Sequence, residues 1–285
     1  MKNSLHQIAL FAGLLLSIAA SAQQKETVTL SVPGFARPLA EKWAAEYQKT
    51  NTAVDFRFLQ GKAAGDANTV TLSTDEHSVL FARYAVLPVI RQGSEAQQLV
   101  GSHALNAKKL RRIFFIDADG DDAAETGSQA TPLHVITGNS QLSAARLYAT
   151  AFHQSAADYR GKKIHGDDSF LTAAVGRDPL GITVNSLSNI FNLESRRLQP
   201  SLALLPLDID KQARQVLSEG QLDNILQLLE QEQYQLIPTG KIGLDYDHSN
   251  PVLTAFVRWV LQDGIQYLHQ YGLLTLPQKE LATIR

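Results

Sequence analysis

The sequence predicts an α/β fold, and three observations carry the prediction. Thr27 to Val32 alternates, with Val28, Leu30 and Val32 on one side and Thr27, Thr29 and Ser31 on the other, the period of a strand. A helical pattern follows at once and Val54 to Phe58 alternates again, so residues 27–58 read as one strand–helix–strand unit. Parallel strands joined by a right-handed crossover are the expected geometry of such a unit. Leu133 to Ile136, running through Thr137-Gly138-Asn139-Ser140 into a second helical pattern, repeats the strand–loop–helix junction.

At 285 residues, 44% hydrophobic and 19% charged, the chain has ordinary globular composition and room for two domains of moderate size. A net charge of -2 gives no electrostatic case for nucleic acid or an anionic membrane as partner. Met1-Lys2-Asn3, the apolar run Ile8 to Ala20 and Ala20-Ser21-Ala22 have the pattern of a signal peptide over residues 1–22, with the mature start near Gln23. No later run is long and apolar enough to span a bilayer. The chain has no cysteine, hence neither disulfide nor lipobox. The expectation is an exported, periplasmic protein without membrane insertion after cleavage.

The first helix starts with Pro38 at a position where a missing N–H costs nothing, and Leu39, Trp43, Ala44 and Tyr47 share one face. Trp43 and Tyr47 are therefore expected inside, Lys42 and Lys49 outside. A loop of small residues, Gln60 to Ala67, precedes a short run from Thr69 to Ser73. Val79 to Ile90 is apolar with Pro88 inside it, which marks an edge strand or a crossover between lobes. Leu105 to Phe115 reads as a helix with Leu110 and Ile113 inward and a basic run, Lys108 to Arg112, on its surface. The helix after Ser140 is expected from about Leu142 to Ala157. Residues 163–175 read as loop and helix, Gly181 to Val184 and Leu202 to Leu207 as strands, Leu222 to Glu232 as a helix, and Val252 to Tyr271 as one long closing helix.

The phosphate-loop, dinucleotide, nucleophile-elbow and zinc-helix signatures are all missing, so the reading is of a protein that is not an enzyme and holds no cofactor. None of the eight histidines lies three to five residues from another, so no local metal pair is encoded. Asp117 to Asp122 brushes against a calcium-loop pattern, but its glycine is fourth rather than sixth, and Ser128 stands where the bidentate glutamate belongs. His165-Gly166-Asp167-Asp168 could supply a ligand or base, with a solvated loop as the favoured reading.

Several stretches, in this order and spacing, resemble the phosphate-binding proteins of ABC uptake systems, a type II class of two-lobed periplasmic solute-binding proteins. They are Gly34-Phe35 through Lys49, Ala67 to Val70, Leu87-Pro88-Val89, Leu110 with Ile113-Phe114, and Gly181-Ile182. Phe256 to Trp259 with Asp263-Gly264, and the closing Tyr271 to Pro277, complete the set. The resemblance implies two lobes, each a mixed, mainly parallel sheet flanked by helices, joined by crossover strands with ligand held between them. Lobe I would comprise residues 23–87 and 238–285, and lobe II residues 88–237.

It also implies a ligand site at Gly34, Phe35, Ala36, Thr71, Gly138, Asn139 and Ser140; Arg37, Lys62 and Arg83 are the side chains that could bring positive charge to it from elsewhere. Here the chain departs from the family. Gly34 stands at a hydroxyl position, Thr71 at an aspartate, Ile136 at an arginine, and Ser140-Gln141-Leu142 at Ser-Gly-Thr, while the second loop is shortened to about Gly61–Asp66. A phosphate out of water needs several charge-assisted hydrogen bonds, each worth about 1.5–3 kcal/mol. An isoleucine offers none of the arginine's donors. Two readings follow. One is a solute-binding protein with a degenerate phosphate site, taking a small ligand or oxyanion and working with an ABC permease. The other is a scaffold or interaction protein of the cell envelope that has lost its ligand. Fold and compartment favour the first as a class.

Overall fold

The computed structural model describes residues 25–60, 67–74, 78–116, 132–138, 143–164 and 167–277. In chain order, β1 (Glu26–Val32) passes through a 3-10 turn at Gly34–Ala36 into α1 (Arg37–Gln48) and β2 (Val54–Gln60), followed by β3 (Thr69–Ser73) and β4 (Val79–Arg91). Next come α2 (Glu95–Val100), α3 (Ala107–Phe114), β5 (His134–Gly138), α4 (Ala144–Ala151), β6 (Lys162–Ile164) and α5 (Ser169–Arg177). β7 (Gly181–Ser186), α6 (Leu187–Ile190), the short hairpin β8 (Phe191–Asn192) and β9 (Arg197–Leu198), and β10 (Leu202–Leu204) follow. The chain then adds α7 (Lys211–Glu219), α8 (Leu222–Gln231), β11 (Thr239–Tyr246) and α9 (Pro251–Gln262).

The expected strand–helix–strand unit is present. β2 lies parallel to β1 from Glu26↔Val54 to Val32↔Gln60, and β3 lies parallel on the other side of β1. The main sheet runs β2-β1-β3-β11-β4-β7-β5-β6, with β10 also on β4. β4 joins its two halves. Val79 to Ala85 pair antiparallel with β11, while Val86 to Ile90 pair antiparallel with β7 and Val89 to Arg91 with β10. Of the two alternatives that Pro88 left open, β4 is therefore the crossover. Pro88 stands opposite Val184 in its register.

One buried cluster runs through both half-sheets, and over the first half α1 and α9 cover it. Trp43 is fully buried, donates Nε1–H to the Gly264 carbonyl at 2.9 Å and meets Phe81 edge-on with centroids 5.1 Å apart. Tyr47, also buried, stands edge-on to Phe256 and Trp259. Burying two such rings supplies several kcal/mol to the α1–sheet contact by the usual area scale, roughly 2–3 kcal/mol for a large apolar side chain. Lys49 is exposed as expected, whereas Lys42 is half-buried. Its Nζ reaches Glu46 at 2.7 Å and lies 5.0 Å from the Tyr267 ring centre, so its stem covers the core's rim.

Several element boundaries differ from expectation: Lys162–Ile164 is a strand where loop was expected from residue 163, and the helix expected at Leu105–Phe115 spans Ala107–Phe114. The closing helix ends at Gln262, and 3-10 turns at Gly264–Tyr267 and His269–Tyr271 replace its second half, which frees the Gly264 carbonyl for Trp43. The helix expected from Leu142 to Ala157 spans Ala144–Ala151, starting at the Ser143 cap, whose Oγ accepts the Arg146 amide, and ending before His153 at φ 57. The strand expected at Leu202–Leu207 stops at Leu204. The acidic stretch from Asp117 to Ala130 lies outside the described residues. Among the described residues no helix is long and apolar enough to cross a membrane.

Candidate functional site

The two strand–loop–helix junctions leave the sheet at the ends of β1 and β5. At the first, the Ala36 amide donates to the Pro33 carbonyl at 3.1 Å, so the turn itself uses one of the donors expected to face a ligand. The Phe35 ring is buried and stacked on Tyr84, centroids 5.0 Å apart, which anchors the turn. The Gly34 amide points outward. It donates to Asp167 Oδ2 at 2.7 Å.

At the second junction α4 opens with the Ala144 amide donating to Asp168 Oδ2 at 2.5 Å. The first amides of a helix lack intrahelical partners and carry the positive end of the helix dipole, so a carboxylate is a fitting occupant. The first turn of α4 falls three residues later than the resemblance implies, at Ser143-Ala144-Ala145 rather than Ser140-Gln141-Leu142. Asn139 and Ser140 themselves lie outside the described residues, as do Lys62 and His165-Gly166.

Asp167 and Asp168 precede α5. Asp167 Oδ1 accepts the Ser169 amide at 2.8 Å, so one carboxylate holds the first amide of α5 and the Gly34 amide together. Asp168 is 4% exposed, and the Asn185 side chain donates to its main-chain carbonyl at 2.7 Å. Asn185 is itself buried in β7, its Oδ1 accepting from the Ser186 amide and from Asn189 Nδ2, both at 2.9 Å. Burial pushes the Asp168 carboxyl up to about 7; the Ala144 amide pulls it down and Asp167 beside it adds to the rise. Asp168 Oδ1 has no hydrogen-bond partner among the described residues. The solvated loop expected at Asp167-Asp168 is thus corrected: one carboxylate is half-buried and the other buried, because the two junctions meet over them.

Two glycines make this approach possible. A Cβ on Gly34 would lie 2.1 Å from Asp167 Oδ1, and a Cβ on Gly138 would lie 2.1 Å from Asp168 Oδ1. Thr71 sits half-buried in β3 beside Ser31 of β1 and opposite Asp245 of β11, at the sheet end from which Gly34 departs. Ile136 packs with Leu171 and Val175 of α5 and supports the site from below as a core residue. Two of the side chains expected to bring positive charge, Arg37 and Arg83, are engaged elsewhere. Arg37 is exposed, holds Glu41 at 2.8 Å and covers the Phe58 ring at 5.3 Å. Arg83 is buried and donates Nε–H to the Thr275 carbonyl at 3.0 Å, tying the C-terminal segment to β4. Among the described residues neither Asp167 nor Asp168 has an ion-pair partner.

No local pattern marks Ala144 or Asn185, and Asp167-Asp168 has the composition of a solvated loop. One signal was present: an aspartate directly before the apolar run of α5 stands at a helix-capping position.

No family model and no curated protein matches the chain. Solved structures do. One described as a phosphate ABC transporter substrate-binding protein with bound phosphate, from Clostridium perfringens, is similar at TM-score 0.62 and 13% identity over 88% of this chain and 100% of its own. An ABC-type phosphate transport receptor from Vibrio cholerae is similar at TM-score 0.54 and 14% identity, covering 88% of this chain and 100% of that one. The regulatory domain of CcmR from Synechocystis PCC6803, in complex with 2-PG, reaches TM-score 0.50 at 12% identity over 83% and 96% of the two chains. At these identities the likeness is one of fold: a mixed α/β sheet with flanking helices, shared with two-lobed substrate-binding proteins and with a regulatory domain.

Proposed function

We propose that this chain is an exported solute-binding protein of the phosphate-ABC type with a degenerate phosphate site, taking a small oxyanion between its lobes on backbone amides. The observation that carries the reading is the convergence of two junction amides, Gly34 N from one half-sheet and Ala144 N from the other, on adjacent carboxylates. Amides that hold a carboxylate have the placement needed to hold another oxyanion. Gly34, Phe35, Ala36, Thr71, Gly138, Asn139 and Ser140 are proposed to line that site, with Phe35 and Ala36 shaping the turn. The switch of β4 from β11 to β7 after Ala85 supports lobe boundaries near Leu87 and Ile237. Residues 1–22 would direct export to the periplasm, where an ABC permease or another envelope protein is the expected partner.

The scaffold reading is favoured by a different fact, that both amides are already occupied by the chain's own side chains. Calorimetric titration with phosphate, sulfate and a panel of small carboxylates separates the two. Heat with any of them supports solute binding; silence across the panel leaves the envelope scaffold.

A further inference from the structure

Asp167 and Asp168 make the contacts a bound oxyanion would make. Asp167 takes the Gly34 amide at 2.7 Å and Asp168 the Ala144 amide at 2.5 Å, so neighbouring residues reach amides of both junctions. Gly34 follows β1 in the first half-sheet, whereas Asp167 leads α5, which packs through Leu171 and Val175 on Ile136 of β5 in the second. Asp168 is held from behind by Asn185 and is 4% exposed, so it is a built part of the site. Its Oδ1 is unpartnered among the described residues and faces the space left by the missing Gly138 side chain.

We propose that Asp167 and Asp168 are an internal ligand, whose carboxylates fill the amide seats of the two junctions in place of a solute, with Asp167 fastening one lobe to the other. This rests on the reading of those junctions as a solute site. A free oxyanion must take the Gly34 amide from Asp167, and it meets the charge of that carboxylate as it arrives. Competition and repulsion both weaken anion binding in the native chain. The half-buried Asp167 is the exchangeable member, and the buried Asp168 is the fixed one.

The test compares the native chain with Asp167→Ser, whose hydroxyl leaves a short acceptor beside the first turn of α5 but carries no charge. Both are titrated calorimetrically with inorganic phosphate and with sulfate, and small-angle scattering is recorded before and after. Asp167→Ser is expected to bind phosphate about tenfold or more tightly than the native chain. Its radius of gyration should rise without anion and fall when phosphate is added. Unchanged scattering together with unchanged affinity overturns the internal ligand. An enlarged radius with no affinity for either anion keeps the internal ligand and removes the solute-binding reading instead. Asp167→Asn, which keeps an acceptor toward Gly34 and loses only charge, carries the same test if the serine variant fails to fold. A gain in its phosphate affinity or a larger radius without anion supports the proposal, and unchanged affinity together with unchanged scattering overturns it.

Discussion

The Gly34 amide and the Asp167 carboxylate meet at 2.7 Å across 133 positions of chain, and they meet because Gly34 has no side chain. The resemblance to phosphate-binding proteins made Gly34 look like a lost hydroxyl. In the structure the same position is space that an aspartate uses.

Gly34→Ala should therefore expel Asp167 rather than unfold the protein, since the group in the way is the free end of a half-buried side chain. The expected cost is one charge-assisted hydrogen bond, about 1.5–3 kcal/mol in urea unfolding. Gly138→Ala should cost more, because Asp168 is buried and its backbone is tied to Asn185. Equal losses in the two variants would contradict the distinction between a movable Asp167 and a fixed Asp168.

Asp168 gives a pH signature of defined sign. Its native carboxyl titrates at about 7 and an unfolded aspartate near about 3.9, so the native state holds the extra proton between those values. Stability contributed by this group is fully present below about pH 4, falls as pH rises toward 7, and is flat above. The groups facing it are Asp167, Tyr84 and Tyr159, none of them cationic at neutral pH. Asp168→Asn should remove that slope and be the more stable protein at pH 8, by on the order of 4 kcal/mol at most. Denaturation curves of both proteins at pH 4.5 and pH 8 read the difference, and parallel pH profiles would refute it.

On the face of α1 that packs on the first half-sheet, Trp43→Ala should cost about 3–5 kcal/mol, as removal of a fully buried large ring does. Trp43→Phe should cost less, yet still leave the Gly264 carbonyl without its 2.9 Å donor. Chemical denaturation ranks the two. A near-neutral alanine variant would remove Trp43 from its place in the core.

Arg37 supplies the opposite control. Its exposed pairing with Glu41 predicts that Arg37→Ala changes stability by less than about 1 kcal/mol and leaves anion titrations unchanged. A fall in phosphate or sulfate binding in this variant would place its guanidinium in the site after all.

The parts of the fold legible in sequence are those whose pattern is local. β1, α1 and β2 follow from alternation and helical spacing over a single short stretch, and the long apolar β4 announced itself with its proline. β11 did not. Thr239 to Tyr246 carries two glycines, a lysine and an aspartate, and only Ile242, Gly243 and Leu244 are buried, so its strand character comes from β3 and β4 on either side. The site was hidden for a similar reason. Adjacent aspartates after a glycine read as solvent-facing polar loop, and nothing local says that two junctions from distant parts of the chain will close over them. Burial of Asp168 is a product of the assembled fold.

The position of β11 also dictates an order of assembly. It lies between β3 and β4, which precede it by most of the chain. As the polypeptide emerges from its N-terminus, β3 and β4 each present an open hydrogen-bonding edge until residues 239–246 arrive to fill the gap. The first half-sheet is thus unfinished for nearly the whole time the chain is being made. Over that interval β3 and β4 carry unpaired strand edges, and a truncation before Thr239 is expected to leave an aggregation-prone fragment.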